Sequence, residues 1–213
     1  MEIDKSLIIN ENDNLNVMRD KIHQNAINHG WYNENAQWLT DDNDKYCALM
    51  HSEVSEILEE FRQQEPKELY FDNYVDKIQV YKKYHRHHYH LILDFYARND
   101  FSYIKNYKPL GYGIELADLV IRALDFCGRL KLDVNNINFG DDEWIIERDL
   151  FEIINILHSD ISNVACQDFY HYIEDIIGMC FNIAKKYNIN LNKMIEIKHK
   201  YNLTRPIKHG KRF

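Results

Sequence analysis

Ile114-Glu115-Leu116-Ala117-Asp118-Leu119-Val120-Ile121-Arg122-Ala123-Leu124-Asp125-Phe126 is the stretch whose reading decides the fold of this chain. At about 100° per residue, Glu115, Asp118, Arg122 and Asp125 share one narrow wedge of a helix, and apolar side chains fill nearly all the rest of the circumference. A surface helix would carry a broad polar face, so this one is expected to be buried on most sides. Its thin acidic stripe must then look into a polar cavity or find partners inside the fold, because buried unpaired carboxylates repel and protonate.

A second acidic pair, Glu53-Val54-Ser55-Glu56, lies upstream. Residues three apart on a helix are neighbours, so Glu53 with Glu56, and Glu115 with Asp118, each present two carboxylates to one side. A Glu pair alone is usually a solvated helix face. Next to an apolar-walled acidic stripe it becomes a candidate half of a metal site. Clustered oxygen ligands without Cys or His suit Mg²⁺, with Mn²⁺ as a substitute, better than Zn²⁺.

The 213 residues, 45% hydrophobic and 28% charged, are enough for one globular domain with a sizeable core. A formal net charge of −8 argues against binding a nucleic-acid polymer, which draws on Lys and Arg. No apolar run approaches the ~20 residues that span a bilayer, and no basic-then-apolar leader is visible, so the expectation is a cytoplasmic protein away from membranes. Cys47, Cys127, Cys166 and Cys180 form no C-x-x-C pair and read as small buried hydrophobes. Seven Gly, three Pro and a prevailing 3.6-residue apolar rhythm point to an all-α fold.

Along the chain, helices are expected from about Leu15 to Asn28, from the Asp41–Asp44 cap region to about Arg62, from about Ile114 to Leu130 and from about Leu191 to Tyr201. Phe71 to about Tyr96 also reads as helical and carries the run His85-Arg86-His87-His88-Tyr89-His90. Basic and aromatic residues here could cover a pocket between the acidic helices. The link 133–142, rich in Asn, Asp and Gly, is the one candidate internal boundary. Beyond it, Tyr172–Ala184 can be laid over Glu115–Cys127, and Phe151–Leu157 over Ser52–Leu58. This suggests a degenerate second copy of the first half, in which Tyr172 replaces Glu115.

The words Leu49-Met50-His51-Ser52-Glu53-Val54-Ser55-Glu56 and Lys108-Pro109-Leu110-Gly111-Tyr112-Gly113-Ile114-Glu115-Leu116-Ala117-Asp118 resemble the MazG-like branch of the all-α nucleoside triphosphate pyrophosphohydrolases. So does the tail Lys198-x-x-x-Asn202-x-x-Arg205-Pro206-x-x-His209-Gly210-Lys211. The resemblance implies a helical bundle over residues 1–213. Its metal-bearing half would be 1–135, with an insertion at about 63–108 that departs from the compact family pattern. The degenerate half, 141–213, would carry the basic tail and complete an intrachain pseudo-dimer. A homodimer stays open.

The resemblance also implies Mg²⁺ held by Glu53, Glu56, Glu115 and Asp118, with Glu53 or Glu56 as the general base. Lys198, Asn202 and Arg205 would contact the phosphates, with Lys208 and Lys211 as helpers, and Trp31 and Trp38 would stack on the base. Both Trp could equally plug one end of a bundle. The implied reaction hydrolyses a nucleoside triphosphate to a monophosphate and pyrophosphate, serving nucleotide pool control. Two rivals stand beside it. One is a catalytically silent member that binds nucleotides or a protein partner. The other is a structural helical protein whose acidic stripe pairs with Lys and Arg of the other half.

Overall fold

A computed structural model describes residues 3–32, 43–137, 145, 147–166 and 169–207. Trp38, Lys208 and Lys211 lie outside the described residues, as do most of the link at 138–142 and the Cys166 side chain.

Helix α1 spans Leu15–Asn28, where the Asn14 side chain accepts a hydrogen bond from the Val17 amide. Gly30, at φ 74°, turns the chain out of the helix, a conformation that suits glycine. Helix α2, Asn43–Phe61, buries Cys47, Met50, Glu53, Val54 and Ile57 at spacings of three and four.

The expected helix from Phe71 to Tyr96 is corrected by the structure. Strands β1 (Tyr70–Asn73) and β2 (Ile78–Val80) form a hairpin there, and helix α3 begins only at Arg86 and ends at Ala97. The turn chemistry explains the difference. Asn73 Oδ1 accepts from the amides of Val75 and Asp76, and Lys77 takes φ 53°, so the Asn73–Lys77 run prefers a turn to a helix. After the single-turn helix α4 (Phe101–Ile104), strand β3 (Tyr107–Leu110) pairs antiparallel with β1 and gives the sheet order β2-β1-β3. The fold is predominantly helical as expected, with this small sheet added.

Helix α5, Tyr112–Leu130, is the centre of the packing and touches α1, α2 and two later helices. It is buried on nearly every side, as its composition requires. Helices α6 (Leu150–Cys166) and α7 (Phe169–Lys186) pack on each other, α6 against α2 and α7 against α5.

Helix α8, Leu191–Asn202, leans on α5 and is almost wholly buried despite the polar run Glu196-Ile197-Lys198-His199-Lys200. Each of these polar groups has a partner. Glu196 takes Lys193 at 2.9 Å and also Lys200, Lys200 donates to the Tyr96 carbonyl at 3.1 Å, and His199 Nε2 donates to the Leu7 carbonyl at 2.9 Å. No helix among the described residues is long and apolar enough to cross a membrane.

Helices α2 and α6 meet through two histidines and carry similar local wording. His51 and His158 stack with ring centroids 5.0 Å apart and Nδ1 atoms 2.8 Å apart. Ser55 Oγ donates to the His51 carbonyl at 3.0 Å, and Ser162 Oγ donates to the His158 carbonyl at 2.8 Å. His158-Ser159-Asp160-Ile161-Ser162-Asn163 therefore matches His51-Ser52-Glu53-Val54-Ser55-Glu56 in wording and in hydrogen bonding. Asp160 lies close enough to Asp175 for their charges to interact.

Candidate metal and anion site

Five elements converge on one cavity of about 250 Å³. Helix α2 brings Glu53 and Glu56, α5 brings Asp118, Arg122 and Asp125, and α8 brings Lys198 and Asn202. Asn25 and His29 come from α1 and its cap, and Lys108 from β3. Glu53, Glu115 and Asp118 each offer a carboxylate oxygen within 4.8 Å of the others. Glu56 lines the same cavity from an exposed position outside this trio.

The electrostatics follow from burial. Glu115 is pushed up to about 8 by burial and then by the Asp118 charge, against the pull of Lys198. Burial and Asp118 also raise Glu53, while Arg122 opposes them. Burial pulls Lys198 down, yet Asp118 and Glu115 outweigh it and leave the ammonium held above its ordinary value. Two cations thus answer two of the acids. Arg122 Nε donates to Glu53 Oε1 at 3.0 Å, and the Lys198 ammonium, only 5% exposed, rests on Asp118 Oδ2.

Glu115 has no ion pair within 4.0 Å among the described residues, and its Oε2 is buried without a hydrogen bond there. An oxygen without a partner beside two other oxygen donors suits a hard divalent cation, which would displace the proton that burial favours on Glu115. The residues present therefore fit Mg²⁺ or Mn²⁺. Zn²⁺ would want nitrogen or sulfur ligands that the trio lacks.

The other wall of the cavity is of a different kind. Asn25 Oδ1 and Asn202 Oδ1 are buried without hydrogen-bond partners among the described residues, and Ile22, Ala26, Trp31 and Ile121 also line this cavity. His29 ties this wall to the tail, with Nδ1 2.9 Å from the Asn25 carbonyl and Nε2 3.0 Å from that of Arg205. Arg205 lines the cavity, and its guanidinium has no ion-pair partner within 4.0 Å among the described residues.

Of the residues singled out in the sequence, Glu53, Glu56, Asp118, Lys198, Asn202, Arg205 and Trp31 all line this cavity. Glu115 stands against it through the carboxylate trio. Lys198 meets an acid, Asp118, where the resemblance implied a phosphate.

Asn25, His29 and Lys108 were missed as site residues. Nothing local distinguishes Asn25 on a polar helix, whereas Lys108 stands in an otherwise apolar lead into α5 and could have been flagged. Asp125, visible in the acidic wedge, holds His23 at 2.9 Å and the Tyr32 hydroxyl at 2.8 Å.

Comparison with protein-family models, with curated proteins and with solved structures gave no match.

Proposed function

We propose that this protein is a Mg²⁺-dependent nucleoside triphosphate pyrophosphohydrolase of the MazG-like kind, releasing a nucleoside monophosphate and pyrophosphate. The observation that carries the reading is the buried Glu115 carboxyl, whose Oε2 has no hydrogen bond among the described residues, with ligand oxygens of Glu53, Glu115 and Asp118 within 4.8 Å of one another at a cavity that also holds cations. A divalent cation held by Glu53, Glu115 and Asp118 would polarise phosphate oxygens and lower the pKa of a bound water.

The chain's own residues divide the remaining work. Glu56, inside the cavity but outside the trio, takes the proton of the attacking water. Arg205, with no ion-pair partner among the described residues, meets the charge that develops on the departing pyrophosphate. Asn25 and Asn202 offer unpaired amide oxygens to a donor-bearing base edge, and Trp31 supplies an aromatic wall for it. An acidic chain of net charge −8 suits a free nucleotide rather than a polymer as substrate.

The second half is read as a degenerate repeat that serves as built-in partner. Tyr172 and Asn163 stand where the first half has Glu115 and Glu56, so each chain carries one site. Stacking of His51 on His158 is the contact expected of matching residues across a pseudo-twofold axis.

A second reading has its own observation. The Arg122–Glu53 and Lys198–Asp118 pairs would also belong to a silent or purely structural protein whose acids are neutralised internally. Turnover of a panel of canonical and modified nucleoside triphosphates with Mg²⁺, scored for pyrophosphate against phosphate release, decides between the two. Pyrophosphate release that Glu56→Gln and Glu115→Gln abolish supports the enzyme. Absence of turnover across the panel, with a melting temperature indifferent to Mg²⁺ and Mn²⁺, favours the structural reading.

A further inference from the structure

The sheet inserted between the two acidic helices has no task in the reading above. Its strand β3 packs on both α5 and α8, the helices that carry Glu115, Asp118 and Lys198. The junction from β3 into α5 is locked to the start of the insertion: the Tyr112 amide donates to the Lys67 carbonyl at 3.0 Å and the Gly113 amide to the Glu68 carbonyl at 3.1 Å. Gly111, the residue before them, takes φ 117°, where a Cβ would come within 2.5 Å of the Lys67 carbonyl oxygen. A residue on β3 is therefore held at a fixed place relative to the carboxylate trio.

That residue is Lys108, the insertion's one contribution to the cavity lining. Arg122 and Lys198 are committed to Glu53 and Asp118. Lys108 has no ion pair within 4.0 Å among the described residues, and its resolved electrostatic neighbour is Glu60 on α2. A polyanion entering a cavity lined by acids needs cations that are not already paired. We propose that Lys108 is a polyphosphate-binding residue, delivered by the inserted sheet, so that the insertion completes the anion-binding side of the site. This rests on the proposed function for the identity of the anion, a phosphate chain, and adds a residue and a role for the insertion.

The test measures binding of inorganic tripolyphosphate with Mg²⁺ by calorimetry, in the full chain and in Lys108→Gln and Lys108→Arg. The expected result is about tenfold weaker binding for Lys108→Gln and near-normal binding for Lys108→Arg, with binding of a nucleoside monophosphate moving less in both. Lys108→Gln should melt where the parent does, since a half-buried Lys without an ion pair holds little of the fold. Equal tripolyphosphate affinity in parent and Lys108→Gln overturns the proposal. So does an affinity loss that comes with a large fall in melting temperature and is not recovered by Lys108→Arg. A parent that binds tripolyphosphate through Lys108 but hydrolyses no nucleoside triphosphate leaves Lys108 in place and removes the hydrolase reading. A parent that binds no tripolyphosphate removes the Lys108 role.

Discussion

The ammonium of Lys198 on α8 rests on the carboxylate of Asp118 on α5, which ties the polar helix of the second half to the acidic stripe of the first. Removing one member of a buried pair strands the other, at a cost of about 3 kcal/mol. Lys198→Met should therefore lower the melting temperature markedly in buffer with chelator. Under the proposed function Mn²⁺ should recover much of that loss, because a dication replaces the missing charge among the acids. Thermal melts with and without Mn²⁺ check this, and a loss that Mn²⁺ leaves untouched would mark the pair as structural only.

Glu115 should behave in the opposite way. Its carboxyl is buried close to Asp118 and held up to about 8, so an amide in its place removes the cost of protonating it on folding and strands no ion-paired cation. Glu115→Gln is expected to gain about 1 kcal/mol or more without divalent cation and to lose the stabilisation that Mn²⁺ gives the parent. Glu53→Gln, which would leave Arg122 unpaired, should not share the gain. Urea unfolding of the three proteins with chelator and with Mn²⁺ separates these outcomes.

Acid should weaken the fold through His199. Burial lowers this imidazole to about 4 from its ordinary 6.5, so between those values the unfolded chain takes up a proton that the folded chain refuses. Stability attributable to His199 is complete above about pH 6.5 and falls by about 1.4 kcal/mol per pH unit toward pH 4. His51 and His158, also lowered by burial, act in the same direction, while Glu115, raised to about 8, opposes them throughout and Asp160, raised by burial to about 6, opposes them below that pH. His199→Gln should start less stable at pH 7 and lose less between pH 6.5 and 5. Denaturation curves at both pH values measure the slope, and parallel slopes in the two proteins would rule the histidine out.

Gly111→Ala tests the junction between sheet and helix. The backbone there requires a positive φ, and the new Cβ would press on the Lys67 and Glu68 carbonyls. A loss of about 2 kcal/mol or more is expected, with faster amide exchange in β1 and β3 than in α1. Exchange that quickens equally everywhere would show that the sheet is not separately anchored at this point.

Periodicity carried the helices well, because a helix needs only its own residues to declare an apolar face. The Asn14 cap and the Gly30 exit fixed α1 at Leu15–Asn28, and the narrow wedge of α5 announced both its burial and its acids. Sequence words alone also marked Glu53, Glu56, Lys198, Asn202 and Arg205, which line one cavity in the fold.

What tertiary structure alone decided depends on partners distant in the chain. The strands of the insertion are three and four residues long, and β1 is stabilised by pairing with β3 across α3, a contact that no local window contains. The run Glu196–Lys200 looks like a solvated face, and it is buried because the Tyr96 and Leu7 carbonyls, together with Asp118, satisfy its polar groups. The meeting of His51 with His158 across α2 and α6 is likewise a contact that no local window contains. Amphipathic helices align with one another at several offsets equally well, and only packed side chains distinguish them.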